Sequence, residues 1–505
     1  MFERITPEKA GIPSKYVCQF INTLEKRGLA MHSVLMMRGN DIFAEYYWKP
    51  FNKDFCHRMY SQTKSFVGVA IGLLEEDGKL KLNDRIADYF PEKIDKDIPE
   101  NLKRLTIKDM LTMQTCGFTP SWFYNSDPDR THFYLNENSA HLYSGMRWKY
   151  DSAGSQVLST LIEKLTDMTL FDFLYSRIFS KLGTFNTASI LKTKTEDSFG
   201  DSAMLCTTRD IASFARFVMN YGSWNGERLM NEEYLKTATS KVVDNRETGF
   251  NGVFTDGYGY QIWRYGKNGF AFNGLGSQLT IMLPEKDFIF TCTADNQGYA
   301  EANSLILTAL DDIIIDNLGE PIADNAEKYK KCTELEDTLK LCAATGNAFS
   351  PYQTKISGKT YICEKNDAGI EKFSLQFSDD NTGELRYTNA QGESKEIIIA
   401  GERVKSSKTD ILSMNLINPA TGDVVLEGFV DNDEKAIYLF SVEDLNGYVA
   451  QVKPWYHASV VDADETGEKT GIYQFSEPYD WNQEGEISVL AHDGKTVGAF
   501  KVVKR

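Results

Sequence analysis

The chain has 505 residues, 42% hydrophobic and 25% charged, an ordinary balance for a folded protein and a length that requires two or three cores. Its formal net charge of −17 argues against a nucleic-acid groove or an anionic membrane surface as the main partner. No uninterrupted apolar run reaches the length of a membrane span. The opening MFERITPEKAGIPSKY lacks a basic stretch followed by an apolar core, so no signal peptide and a cytoplasmic location are expected. Eight cysteines are scattered without a CxxC pair, several of them (Cys18, Cys206, Cys292) in apolar stretches, which reads as buried free thiols in reducing surroundings.

In chain order, apolar residues recur at helical spacing between Lys15 and Leu29 (Val17, Phe20, Ile21, Leu24). SVLMMRGNDIFAEYYW then reads as two strands around Arg38-Gly39-Asn40. From Met59 to Gly78, MYSQTKSFVGVAIGLLEEDG is apolar nearly all round after Lys64, the mark of a buried helix; Glu75, Glu76 and Asp77 return it to the surface and Gly78 stops it. From LKLNDRIADYF to about Asn220 the pattern is mostly helical. Within it the aromatic and polar SWFYNSDPDRTHFYLNENS has no regular period and reads as a loop lining an entrance.

Residues 257 to 295 turn strand-like, as GYGYQIW, FAFNGLGSQLTIML and DFIFTCTADN, and ANSLILTALDDIIIDNL closes this part as an amphipathic helix. Strands at both ends with helices between them imply an α+β fold with an antiparallel sheet. Beyond Thr345 short alternating strands (KFSLQFS, GELRYTN, KEIIIAG, DVVLEGFV, AIYLFSV) indicate an antiparallel sheet or small barrel. The expected plan is a first domain over 1–320 with a helical subdomain at roughly 80–220, a helical linker over 321–344 and an all-β domain over 345–505.

The chemistry begins at Ser61 and Lys64. A serine three residues before a lysine on a helix shares a face with it, so a nucleophile stands beside a base at a helix start, where backbone N–H groups favour developing negative charge. The spacing alone is weak, since roughly two such pairs are expected by chance in a chain this long, and Ser61 as a mere helix N-cap is the competing reading. A second pair, Ser189 and Lys192, follows TFNTA with no buried helix behind it and reads as strand or loop. An exposed lysine is protonated at neutral pH, so a second proton carrier is needed. Tyr150 in RWKYDSAGSQ, ahead of Asp151 and Ser152 at a helix start, is the candidate. The third stretch is Phe272-Asn273-Gly274-Leu275-Gly276-Ser277-Gln278: either a bulge or tight strand end, or a backbone close to substrate whose Leu275 N–H joins that of Ser61 in an oxyanion hole.

Other chemistries lack their motifs. There is no GxSxG elbow, no HExxH or Cys/His cluster for a metal, and no GxGxxG or GxxxxGK[ST] for a nucleotide; His57, in Cys56-His57-Arg58, reads as structural.

Together the three stretches resemble the penicillin-recognising serine hydrolases, which comprise class C β-lactamases, DD-peptidases and related esterases and amidases. In these a Ser-x-x-Lys nucleophile is followed by Tyr-x-Asn or Tyr-x-Ser and then by Lys/His-x-Gly on an edge strand. LTIKDMLTMQTCGF, DSAMLCTTRDIASFARFV with GSWNGERL, and GYGYQIW share the likeness, which covers about residues 5 to 318 in the expected order. The resemblance implies Ser61 as acyl-accepting nucleophile, Lys64 as its base or proton partner and Tyr150 as proton shuttle. It puts Ser152 where the third polar side chain orients lysine and substrate, and Asn273, Gly274 and Leu275 along the substrate. It implies no cofactor and no metal. The cation that usually opens the third motif is Phe272 here, which turns the expectation from penicillins and peptidoglycan toward a small ester, amide or peptide. The alternatives are a β-lactamase or DD-peptidase, and a non-catalytic binding protein on a hydrolase scaffold. The expected partner is a small-molecule substrate, with no nucleic acid or membrane; a homo-oligomer is compatible with the sequence.

Overall fold

The computed structural model describes residues 2–49, 51–117, 127–193, 195–246, 254–266, 268–296 and 301–339, and beyond residue 356 the strands and the turn that leads into the first of them. Contacts divide the chain into two compact units, Met1–Trp48 with Asn52–Leu339, and Lys49–Phe51 with Lys340–Arg505.

The first unit is built on a seven-stranded sheet. Its strands are β1 (Glu3–Arg4), β2 (Met31–Arg38), β3 (Asp41–Tyr47), β4 (Trp263–Tyr265), β5 (Gly269–Gly274), β6 (Gln278–Leu283) and β7 (Phe288–Ala294), in the order β1-β3-β2-β7-β6-β5-β4. All ladders are antiparallel except that of β1 with β3. The two ends of the unit's sequence therefore meet at the centre, where β2 pairs with β7. Both strands are buried on both faces, which explains why MHSVLMMR and FIFTCTA show no clean alternation of polar and apolar residues.

Helices cover the two faces. On one side lies α1 (Ser14–Lys26), whose Phe20 meets Phe290 of β7 edge-on at 5.8 Å. On the other lie α2 (Thr63–Glu76), α3 (Ser152–Thr166) and α4 (Thr208–Met219), with Phe214 of α4 5.6 Å from Phe272 of β5. As its composition predicts, α2 is buried from Thr63 to Leu74. Its Phe66 stacks on Phe214 at 4.1 Å and meets Phe179 and Phe185 edge-on. Gly68 lets the neighbouring chain approach, since a Cβ there would lie 2.7 Å from the Tyr260 carbonyl oxygen. Side chains that accept the first free N–H groups start the helices: Thr207 forms a capping box with Asp210 ahead of α4, and Asp151 accepts from Gly154 ahead of α3.

Three readings of the sequence are corrected. The stretch expected as an entrance loop contains a helix, Arg130–Glu137, because Asp129 caps it through the N–H groups of Thr131 and His132; residues 121–126 of that stretch lie outside the described residues. In GYGYQIW only Trp263 belongs to a regular strand, because Gln261 turns out of extended geometry at φ +59°. Cys18 of α1 and Cys332 of the helix Ala326–Glu336 form a disulfide, so the free-thiol reading fails for this pair, while Cys56, Cys116, Cys206 and Cys292 are free. Cys342 and the Cys363 side chain lie outside the described residues.

In the second unit the strands from Lys359–Cys363 to Thr496–Lys504 form a twelve-stranded sheet whose ladders run antiparallel.

The disulfide closes a loop spanning a sequence separation of 314, so reduction should cost a few kcal/mol, typically about 2 to 4, by releasing unfolded-chain entropy. Thermal melts with and without reductant should differ accordingly, and a non-reducing peptide map should contain the linked Cys18 and Cys332 peptides. A map with both as free thiols refutes the bond.

Candidate active site

The backbone around Ser61 is held before any chemistry is considered. A short strand, His57–Arg58, pairs with Met204–Cys206, and Met59 N–H continues the contact to the Met204 carbonyl at 2.8 Å. Tyr60 then takes φ +46°, a left-handed conformation that costs a tyrosine on the order of 1 to 3 kcal/mol and persists only where neighbours enforce it. They do so here. Thr63 Oγ1 donates to the Tyr60 carbonyl at 2.6 Å, and the Arg58 guanidinium lies 4.7 Å from the Tyr60 ring centroid. Ser61 follows in a 3-10 turn, Tyr60–Gln62, that runs into α2, whose N-cap residue is Gln62. The serine hydroxyl therefore does not cap the helix.

Lys64 is 1% exposed, and its Nζ donates to Ser61 Oγ at 3.0 Å and to the Asp201 carbonyl at 2.7 Å. The same Nζ lies 5.2 Å from the centroid of the Tyr150 ring. Tyr150 immediately precedes buried Asp151, which accepts from Gly154 N–H and from the Tyr134 hydroxyl. Burial pushes the Asp151 carboxyl up, against the pull of the hydrogen bonds from Gly154, Thr115 and Tyr134. Ser152 is half-buried as the first residue of α3; among the described residues the second acceptor for Lys64 Nζ is the Asp201 carbonyl, not the Ser152 hydroxyl.

The third stretch reaches the same place from the sheet. β5 and β6 form a hairpin in which Gly274 pairs with Gln278, and Gly276 (φ +76°) and Ser277 (φ +71°) make the turn. A Cβ at Gly274 would lie 2.3 Å from the Met59 carbonyl oxygen and 3.2 Å from Tyr60 Cβ, so the strand end presses against the turn that carries Ser61. Phe272 is fully buried against Phe214 in the core. Asn273 is half-buried, and its Oδ1 is buried and accepts no hydrogen bond among the described residues. Leu275 is 57% exposed at the hairpin tip, with its carbonyl accepting from Gln278 Nε2. Arg264, the other cation near this edge, donates to the Thr239 carbonyl at 2.6 Å. Ser189 lies in a two-residue strand and Lys192 pairs with Glu196, apart from any buried helix.

Two contributors escaped the sequence reading. Asp201 acts through a backbone carbonyl, which any residue supplies. Gln261 is a buried junction: its carbonyl accepts from Ser65 of α2, its Oε1 from Ser155 of α3, and its Nε2 donates to the Met110 carbonyl. Its one sequence signal is a polar residue between Tyr260 and Ile262. No group of His, Cys, Asp and Glu suited to a metal occurs among the described residues, and no described helix is long and apolar enough to cross a membrane.

A sequence profile described as Beta-lactamase matches residues 19–310, more than half of the chain. The chain belongs to the beta-lactamase family. Among curated proteins it is similar to a 6-aminohexanoate-dimer hydrolase of Paenarthrobacter ureafaciens, 25% identical over 260 residues, which is 48% of this chain and 66% of that protein, just short of two thirds of its length. Among solved structures its fold is similar to a provisionally assigned 6-aminohexanoate-dimer hydrolase from Bacillus anthracis (TM-score 0.52, 17% identity, 63% of this chain and 86% of that one). It is also similar to a penicillin-binding protein homologue from Caulobacter crescentus (TM-score 0.50, 14% identity, 60% and 98%). The mixed α/β fold around a central sheet is thus that of the family.

His57 lies in the short strand that leads to the Ser61 turn and contacts His32. Its Nδ1–H donates to the Arg58 carbonyl at 3.0 Å, which leaves Nε2 to accept from His32 Nδ1 at 2.7 Å. With Nδ1 donating, an accepting Nε2 requires the His57 ring to be neutral. Burial lowers His32 well below the ordinary histidine range and His57 to about 4.

Two outcomes follow for measurement. Gly274→Ala should slow phosphonylation of the protein by a fluorophosphonate on the order of 10²-fold by displacing the strand end that touches the Ser61 turn; an unchanged rate would show that the contact can relax. Because the folded His57 pKa lies below its unfolded value near 6.5, its stabilisation is complete above pH 6.5 and is lost as pH falls toward 4, by about 3 kcal/mol. Denaturant melts between pH 7 and 4 should show this decline, and His57→Asn should flatten it; superimposable pH profiles would refute the neutral pair.

Proposed function

We propose that this chain is a serine hydrolase that acts through an acyl-enzyme on Ser61. The observation that carries the reading is the buried Lys64 Nζ 3.0 Å from Ser61 Oγ, with the Tyr150 ring beside it. Ser61 Oγ attacks the substrate carbonyl carbon as its proton passes to the Tyr150 oxygen, the Lys64–Tyr150 pair entering the step one proton short of an ammonium plus a phenol. The tetrahedral oxyanion is met by the N–H groups of Ser61 and Leu275, a reading supported by the close approach of Gly274 to the Met59 carbonyl. The bond to the leaving group then breaks, and that group takes up the proton from Tyr150. Water, activated by the same pair, attacks the acyl carbon and frees Ser61.

The substrate class we assign is a small ester, amide or short peptide. The relative named 6-aminohexanoate-dimer hydrolase supports an amide. Burial of Phe272 against Phe214 leaves no cation at the head of the third motif to seat a β-lactam or peptidoglycan carboxylate. Asn273, Gly274 and exposed Leu275 line the acyl side, and Ser152 stands at the entrance of α3. We also assign residues 345–505 to a separate antiparallel β domain.

Intact-protein mass after a fluorophosphonate should show one adduct that is absent from Ser61→Ala, with turnover of p-nitrophenyl esters falling about 10³-fold or more. An adduct that survives in Ser61→Ala would overturn the assignment. A penicillin adduct on wild type would restore the β-lactam alternative.

A further inference from the structure

A tyrosine that shuttles protons has to be aimed; in its own stretch of chain Trp148 meets the Tyr150 ring only at a tilt, 6.3 Å away and at 47°. We infer that Trp263 is the positioning residue for Tyr150, holding the phenol by face-to-face stacking in the orientation from which it returns a proton to the leaving group. The inference rests on the shuttle reading above. The two rings lie 5.5 Å apart at 21°. Trp263 is itself immobilised: it is 3% exposed, met edge-on by Tyr258 at 5.0 Å and 88° and by Trp148 at 5.6 Å and 63°, with Phe254 at 5.8 Å.

The backbone fixes it too. Trp263 is the first residue of β4 and pairs with Ala271 of β5, three residues before Gly274, and Gln261, two residues earlier, is hydrogen-bonded to both α2 and α3. The indole is therefore referenced to the strand that touches the Ser61 turn and to the helices that carry Lys64 and follow Tyr150. A phenol packed on it has one ring plane, with the Lys64 ammonium 5.2 Å from its centroid. Removing the indole frees the ring to rotate, and an error of about 1 Å in a transferring group costs on the order of 10²-fold. A structural role alone would damage every reaction of the site equally. A positioning role weakens every proton transfer of the Lys64–Tyr150 pair, but it adds a loss on the ethyl ester that the p-nitrophenyl ester escapes: the C–O bond to an alkoxide breaks only as Tyr150 protonates the oxygen, whereas p-nitrophenolate departs without it.

The test compares the full-length wild type, Tyr150→Phe, Trp263→Leu and Trp263→Phe on p-nitrophenyl butyrate and ethyl butyrate. Trp263→Leu should lose on the order of 10²-fold in kcat on the ethyl ester and under about tenfold on the p-nitrophenyl ester, and Trp263→Phe, which keeps a stacking ring, should recover most of the loss. Tyr150→Phe should show the same split. Equal losses on both esters in Trp263→Leu, with the split present in Tyr150→Phe, overturn the positioning role alone. Equal losses in Tyr150→Phe overturn the shuttle reading and this inference with it. Should Trp263→Leu fail to fold, or neither ester be turned over, fluorine NMR of 3-fluorotyrosine-labelled wild type decides. The resonance that disappears in Tyr150→Phe must be ring-current shifted away from the unfolded position; at the unfolded position, the stack does not form.

Discussion

A lysine Nζ taken almost wholly out of water must be given hydrogen-bond partners, because a buried polar group left without them costs a large share of a domain's stability. Lys64 is that lysine, and its partners come from two places in the chain: Ser61 one helical turn behind it and the Asp201 carbonyl. Much of the first unit is arranged to keep them there. The ladder between His57–Arg58 and Met204–Cys206 joins the two segments, and Arg58 reinforces it by donating to the Ser202 carbonyl at 2.8 Å while lying against Tyr60. The left-handed Tyr60 is tolerable only inside such a frame.

The residues that would do chemistry are few, and the residues that place them are many. Gln261 bonds to α2, to α3 and to the Met110 carbonyl, so the helix of Lys64 and the helix behind Tyr150 share one buried reference point. Gly274 allows the β5 end to touch the Ser61 turn, and a side chain there would collide with backbone, which cannot move aside as a flexible side chain can. The core beneath is aromatic: Phe66, Phe179, Phe185 and Phe214 pack under α2, and Phe272 joins them. A phenyl ring at that position completes the core and puts no charge at the site.

Elements with a strong local period were legible. The buried run after Lys64 and the amphipathic run after Lys15 became α2 and α1, and the turn residues Arg38-Gly39-Asn40 separate β2 from β3. The helix Arg130–Glu137 was hidden because its start depends on one Asp side chain rather than on a hydrophobic period. GYGYQIW misled because its residues have strand composition while hydrogen bonds to three other segments set the backbone at Gln261. The disulfide was hidden because Cys18 and Cys332 are 314 residues apart with no spacing motif.

What the sequence by itself determined is local: a serine and a lysine one turn apart, at the head of a helix too apolar to lie anywhere but in the core. That follows from helix geometry, which needs no knowledge of the rest of the chain. Only the tertiary structure decided that the Asp201 carbonyl receives the ammonium, that Trp263 lies flat on Tyr150 and that Phe272 turns into the core against Phe214. Each of these is a contact between residues far apart in sequence. A carbonyl is common to every residue, and an aromatic ring serves core and site alike, so packing alone assigns them.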